Sequence, residues 1–233
     1  MKIGISAGSN DFHLMPLAMK LHIQGKIDYV ELYIMENVEL EHLMIWKKTG
    51  IPLNFHAPHD ERAEFVPELL EIAVEASKIV PVEHIVFNAG TKVNKLMYKY
   101  PNAFPEIMPH ITRWGDFGAL SKPSEVRDGR FCLDVAHAWI SAIMLQKDPK
   151  EFLKKFFAKN PPHIHIATSS NGDTDDYCPL KEGIVDVKFV IDNLPEDACV
   201  TIENDVDIKD RKKAIVDDLE YFLGLYGKKD KKS

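Results

Sequence analysis

Short runs rich in β-branched and aromatic residues alternate with longer amphipathic stretches along the whole chain. This alternation constrains the fold more than any single motif. The runs are KIGIS (2–6), YVELYI (29–34), IPLNFH (51–56), HIVFNA (84–89), NAFPEI (102–107), RFCLDV (130–135), HIHIAT (163–168) and CVTIEN (199–204), eight strands in all. Helical periodicity fills most of the gaps. VELEHLMIWKK follows Asn37 as an N-cap, and PELLEIAVEASKIV carries apolar residues at helical spacing. DPKEFLKKFFAKN opens with an Asp cap and Pro149 at the first helical position, and DRKKAIVDDLEYFLGLYG ends on Gly227, a helix stop. Residues 90–101 are too few for a helix with its loops and predict one helical turn at most.

Strands that alternate with helices pair in parallel, because parallel neighbours need crossover connections. Eight such units close into a (β/α)8 TIM barrel. An open doubly wound sheet would carry a G-x-G-x-x-G loop after its first strand, whereas this chain reads SAGSNDF. The reading is an α/β chain with one TIM-barrel domain over residues 1–227, a shortened connection after the fourth strand, and a basic flexible tail at 228–233.

Composition narrows the classes of function. Of 233 residues, 45% are hydrophobic, enough for one large core, yet no apolar run has the length of a membrane span. The start, MKIGISAGSN, lacks a signal-peptide pattern, so the expected location is cytoplasmic, with no membrane partner. A formal net charge of −7 is poorly suited to a polyanion, which makes nucleic acid an unexpected partner; the dense basic cluster, GKKDKKS, is terminal. Cys132, Cys178 and Cys199 form no C-x-x-C pair, so neither a disulfide framework nor a thiolate zinc site is indicated. A homo-oligomer is compatible with all of this.

Active sites of such barrels lie at the C-terminal ends of the strands. The predicted strands end at Ser6, Glu31 with Tyr33, His56, Asn88, Glu106, Asp134, His165 and Glu203. Random surface polarity would not be locked to strand ends. Glu106, Asp134, His165 and Glu203 come from the last four strands and are each separated by about one βα unit, ~30 residues. In a closed barrel these side chains converge. Three carboxylates packed together repel one another, and a divalent cation removes that cost. Three oxygens and one imidazole suit one Mn, Mg, Co or Zn ion. Taken singly, Asp134 also fits as the cap of the helix that follows it, and His165 as a buried structural histidine. Glu31 and Lys92 are further candidates by their strand-end positions.

The motifs LNFHAPHD, FPEIMPH, CLDVAHAW, HIHIATSS, PLKEGIVD and VTIEN, in that order, resemble the xylose isomerase-like TIM-barrel superfamily. It holds sugar isomerases and epimerases as well as endonuclease IV-type nucleases. The resemblance implies that Glu106, Asp134, His165 and Glu203 bind one divalent metal, that His137 contacts substrate, and that His56 occupies the third-strand position. The nucleases carry a histidine where this chain has Asn88, and an Asp-x-His where it has Asp175 and Tyr177. The resemblance therefore points to the one-metal branch.

It implies a metal-dependent isomerase or epimerase acting on a sugar or related polyhydroxy carbonyl compound through an enediolate. Glu106 and Glu203 would serve as the proton-transfer pair. His56, His137, Asn88, Asp175 and Tyr177 would contact the substrate. A lyase would use the same residues. The rival classes are a metal-dependent phosphodiesterase and a non-catalytic barrel that binds a metal or small ligand.

Overall fold

The computed structural model describes residues 1–35, 40–59, 65–112, 115–172, 178–203 and 211–229. All eight strands form where the apolar runs place them: β1 (Lys2–Gly8), β2 (Tyr29–Tyr33), β3 (Leu53–His56), β4 (Ile85–Asn88), β5 (Ala103–Glu106), β6 (Cys132–Asp134), β7 (His163–Ile166) and β8 (Cys199–Ile202). They pair in parallel and in chain order, and β8 returns to β1 to close the barrel. Around them lie α1 (Met15–Ile23), α2 (Leu40–Lys47), α3 (Pro67–Ile79), α4 (Val135–Met144), α5 (Pro149–Phe157), α6 (Val187–Asn193) and α7 (Arg211–Lys229).

Local chemistry accounts for these helices. Pro149 stands in the first turn of α5, and the Asp148 side chain accepts the Glu151 amide at 2.9 Å. Phe152, Leu153, Phe156 and Phe157 form the buried stripe of α5. The connection after β4 is short as expected, with a single 3-10 turn at Lys95–Tyr98. Between β5 and β6 there is likewise no α-helix among the described residues, while the β6–β7 crossover holds both α4 and α5.

Two expectations need correction. Helix α7 does not stop at Gly227 but continues to Lys229. Tyr226 stacks on Phe222 one turn earlier, which holds the last turn against the body of the protein. Several strands also differ by a residue or two from their apolar runs. β6 is only three residues long because Val135 already begins α4. The Asn37 cap lies outside the described residues.

The strands bury both faces, with different chemistry on each. Outward residues such as Ile5, Val30, Leu32, Phe55, Ile164 and Val200 join the main apolar core under the helices. Inward residues on the same strands are largely polar: Tyr29, Glu31, Asn54, His56, Glu106, Asp134, His163, His165 and Thr201 are all buried. A small apolar cluster of Val86, Phe104 and Cys132 sits among them, separate from the main core. A Cβ on Gly4 would lie 2.4 Å from the Tyr29 ring, so the glycine makes room for that side chain. Among the described residues, no helix is long and apolar enough to cross a membrane.

Candidate metal centre

Glu106 ends β5, Asp134 ends β6, His165 lies on β7, and Glu203 follows β8 directly. Each points inward from a different strand. One ligand atom from each of the four lies within 4.8 Å of those from the others. The first three residues are buried and Glu203 is half-buried, which makes it the most accessible of the set.

Asp134 is placed where both of the expected roles are open to it. Its Oδ1 accepts the His137 backbone amide at 2.7 Å and so caps α4, while its carboxylate also belongs to the four-residue group. A carboxylate has lone pairs enough for both.

His165 is the hub of the group. Its Nδ1 faces Glu106 Oε1 at 2.8 Å and Glu203 Oε1 at 3.4 Å. Its Nε2 lies 2.9 Å from Glu31 Oε1, close enough for an ion pair but off the line of a hydrogen bond. Burial opposes charging of this ring, yet Cys132, Glu203, Glu31 and Glu106 together hold its pKa well above the ordinary histidine value. Glu106 responds in the opposite direction. Burial would raise it, but His165 and His56 draw it well below the usual carboxylate range. Glu203 is pushed up to about 8 by burial and by the Glu106 and Asp134 carboxylates, against the pull of His165. The donors fit a hard or borderline divalent cation, which would replace the proton on Glu203 and the charge on His165.

Glu31, a lesser candidate from the sequence, is central here. It is fully buried, and its Oε2 lies 2.6 Å from His163 Nε2 and accepts the Thr201 hydroxyl at 2.9 Å. The Tyr29 hydroxyl meets the same Thr201 oxygen at 2.8 Å. Burial alone would raise the Glu31 pKa, but His165 and His163 bring it well below the ordinary value. Glu31 thus orients two histidines two residues apart on β7. Carboxylates commonly hold metal-ligating histidines in this way.

The other predicted residues are distributed unevenly. His56 donates from Nδ1 to the Ala57 carbonyl at 2.9 Å and places Nε2 3.2 Å from Glu106 Oε2. Its ring stacks between Tyr33 and His165, with centroids 5.3 and 5.8 Å away. It therefore supports Glu106 directly. His137 is buried, with Nδ1 committed to the Ile107 carbonyl at 2.8 Å. Asn88 pairs in register with Glu106, and its side-chain oxygen is buried without a hydrogen-bond partner among the described residues. Lys92 is exposed in the loop after β4, and the described clusters of ligating side chains do not include it. Asp175 and Tyr177 lie outside the described residues.

His163 and Thr201 escaped the strand-end rule because they sit one inward position deeper. The signal was present nonetheless. In HIHIAT the two histidines are two apart, and Thr201 stands two before Glu203, so each pair shares a strand face.

No family model matches the chain, and no curated protein matches it. Among solved structures it is similar to endonuclease IV from Thermus thermophilus, with a TM-score of 0.66 and 14% identity over 100% of both chains. An uncharacterized protein from Parabacteroides distasonis matches at a TM-score of 0.48 and 16% identity, covering 95% of this chain and 97% of that one. The first likeness shows the barrel fold.

Proposed function

We propose that this protein is an enzyme with one divalent ion at the C-terminal end of its barrel, which isomerises or epimerises a sugar or related polyhydroxy carbonyl compound. The observation that supports this reading is the meeting of Glu106, Asp134, His165 and Glu203, from four successive strands, around one point. A divalent ion held there would polarise a substrate carbonyl as a Lewis acid. Glu203, the most accessible carboxylate of the group, takes the proton from the carbon beside that carbonyl. Glu106 is the second member of the proton-transfer pair and is positioned by His56 and His165. Asn88, His56, His137, Asp175 and Tyr177 would orient substrate hydroxyls.

The fold likeness to endonuclease IV favours a second reading, metal-dependent phosphodiester hydrolysis. The net charge of −7 and Asn88, in place of the imidazole that the resemblance associates with nucleases, favour the first. One experiment separates them. Protein loaded with Mn²⁺ is incubated in deuterated water with a panel of ketoses and aldoses, and in parallel with abasic-site DNA. The isomerase reading expects deuterium at the carbon next to the carbonyl and intact DNA. Cleaved DNA without deuterium exchange would establish the phosphodiesterase instead.

A further inference from the structure

The barrel interior holds a second set of ligating side chains, at the end opposite the proposed active site. His84 immediately precedes β4, His163 opens β7 and Cys199 opens β8. One ligand atom from each lies within 4.8 Å of the others. His84 Nδ1 and His163 Nδ1 are 2.9 Å apart. His163 and Cys199 are register partners on adjacent strands. Both are buried, while His84 is only partly so, which leaves an approach from the N-terminal end of the barrel.

We propose that His84, His163 and Cys199 form a separate cation site, selective for a thiophilic divalent ion of the zinc class. Three features support it. The donors are two imidazoles and a sulfur, the softer set that zinc favours, with a fourth position left for water. The spacing is close to what such an ion needs: bonds of ~2.0 Å to nitrogen in a tetrahedron put two ligating nitrogens ~3.3 Å apart, a few tenths of an ångström beyond the observed separation. The surroundings are also built as metal surroundings are. His163 turns its other nitrogen to Glu31 and Thr201, which fixes the tautomer that presents Nδ1 to the site. Asn54 accepts the His84 backbone amide at 3.0 Å, which anchors the backbone at that ligand.

Glu31 then serves both ends of the barrel. One oxygen faces His163 and the other faces His165, and the two rings aim their Nδ1 atoms at different clusters. Binding is a ligand exchange without redox change. The ion gains two nitrogen bonds and one sulfur bond and loses three waters, and the Cys199 thiol proton passes to solvent. The site lies away from the strand-end carboxylates, so its role is to brace the barrel.

Cobalt(II) tests this, because a thiolate ligand adds a sulfur-to-cobalt charge-transfer band that carboxylate and imidazole ligands do not. The full-length protein, stripped of metal, is titrated with Co²⁺ while the band and the bound-metal stoichiometry are followed. The expected result is a charge-transfer band that saturates at one equivalent, independent of whether the upper centre also fills. Cys199→Ser should lose the band, and Cys132→Ser, Cys178→Ser and Glu203→Gln should keep it. Should Cys199→Ser not fold by circular dichroism, His84→Gln at the half-exposed position decides, with a lost or strongly weakened band expected. Absence of the band in the wild-type protein, its survival in folded Cys199→Ser, its loss in folded Cys132→Ser or Cys178→Ser, or an unchanged titration in His84→Gln would each overturn the proposal. A failed isomerase assay leaves this band untouched, so the two readings fail separately.

Discussion

The two ends of the barrel interior both gather ionisable side chains, but their donors differ in kind. At the C-terminal end three carboxylates surround one imidazole. At the N-terminal end two imidazoles stand beside a thiol. The first set is anionic and unstable without a cation or a shared proton, which is why Glu203 is pushed up to about 8 and His165 is driven to its charged form. The second set is neutral without metal: burial keeps His163 below its ordinary pKa and takes His84 down to about 4. The C-terminal end therefore carries groups whose protons can be exchanged, whereas the N-terminal end is uncharged. Glu31 lies between them and touches a histidine of each.

The sharpest break in the comparison comes from Glu203→Gln. It should lower metal-dependent turnover by ~10²–10⁴-fold while the cobalt–thiolate band of the lower end persists. Steady-state kinetics and absorption spectra on one preparation check both halves.

Glu31→Ala should affect both ends together. It leaves the charged, buried His165 without one of its counter-charges and His163 without its carboxylate partner, at a cost of ~3–5 kcal/mol in urea denaturation. Cation affinity should fall ~10–100-fold at each end, read by metal titration. An effect confined to one end would show that Glu31 does not couple them.

pH should distinguish the ends next. In the metal-free protein, folded Glu203 keeps its proton up to about 8, against 4.5 for an unperturbed glutamate. Stability from this group is full below the lower value and is lost as pH rises through the upper one. A cation must displace the same proton, so Mn²⁺ affinity should rise about tenfold per pH unit across that window, from this one group. Isothermal titration in buffers of different ionisation enthalpy should detect the released proton, and Glu203→Gln should remove it.

A smaller effect separates the two duties of Asp134. Asp134→Asn should keep the α4 cap and lose metal affinity. Asp134→Ala should lose both, with a further ~1 kcal/mol of stability from the missing cap. Thermal melts with and without Mn²⁺ resolve the two. Lys92→Ala should change stability by less than ~0.5 kcal/mol and leave turnover as it was, since the side chain is exposed and outside the described clusters.

Much of this molecule is legible in its sequence. The strand runs and the polar residue closing each one give the barrel and the four-residue centre, because strand period and barrel closure leave few places for those side chains to go. The extent of α7 was less legible. Gly227 reads as a stop, yet the helix runs past it, with Tyr226 stacked on Phe222 and packed against the core just before the glycine. Asp134 was undecidable from the sequence for a physical reason: capping and ligation use different lone pairs of one carboxylate, so neither reading excludes the other.

Taken alone, the order of residues determined the fold class and the end of the barrel where carboxylates converge. Tertiary structure decided which histidine meets which acid. Glu31 and Tyr29 lie far apart in the chain from His163, Cys199 and Thr201, and no local pattern links the two groups. They meet because closing the sheet brings β8 back to β1, the neighbour of β2, and sheet closure is a long-range event that short-range periodicity cannot encode.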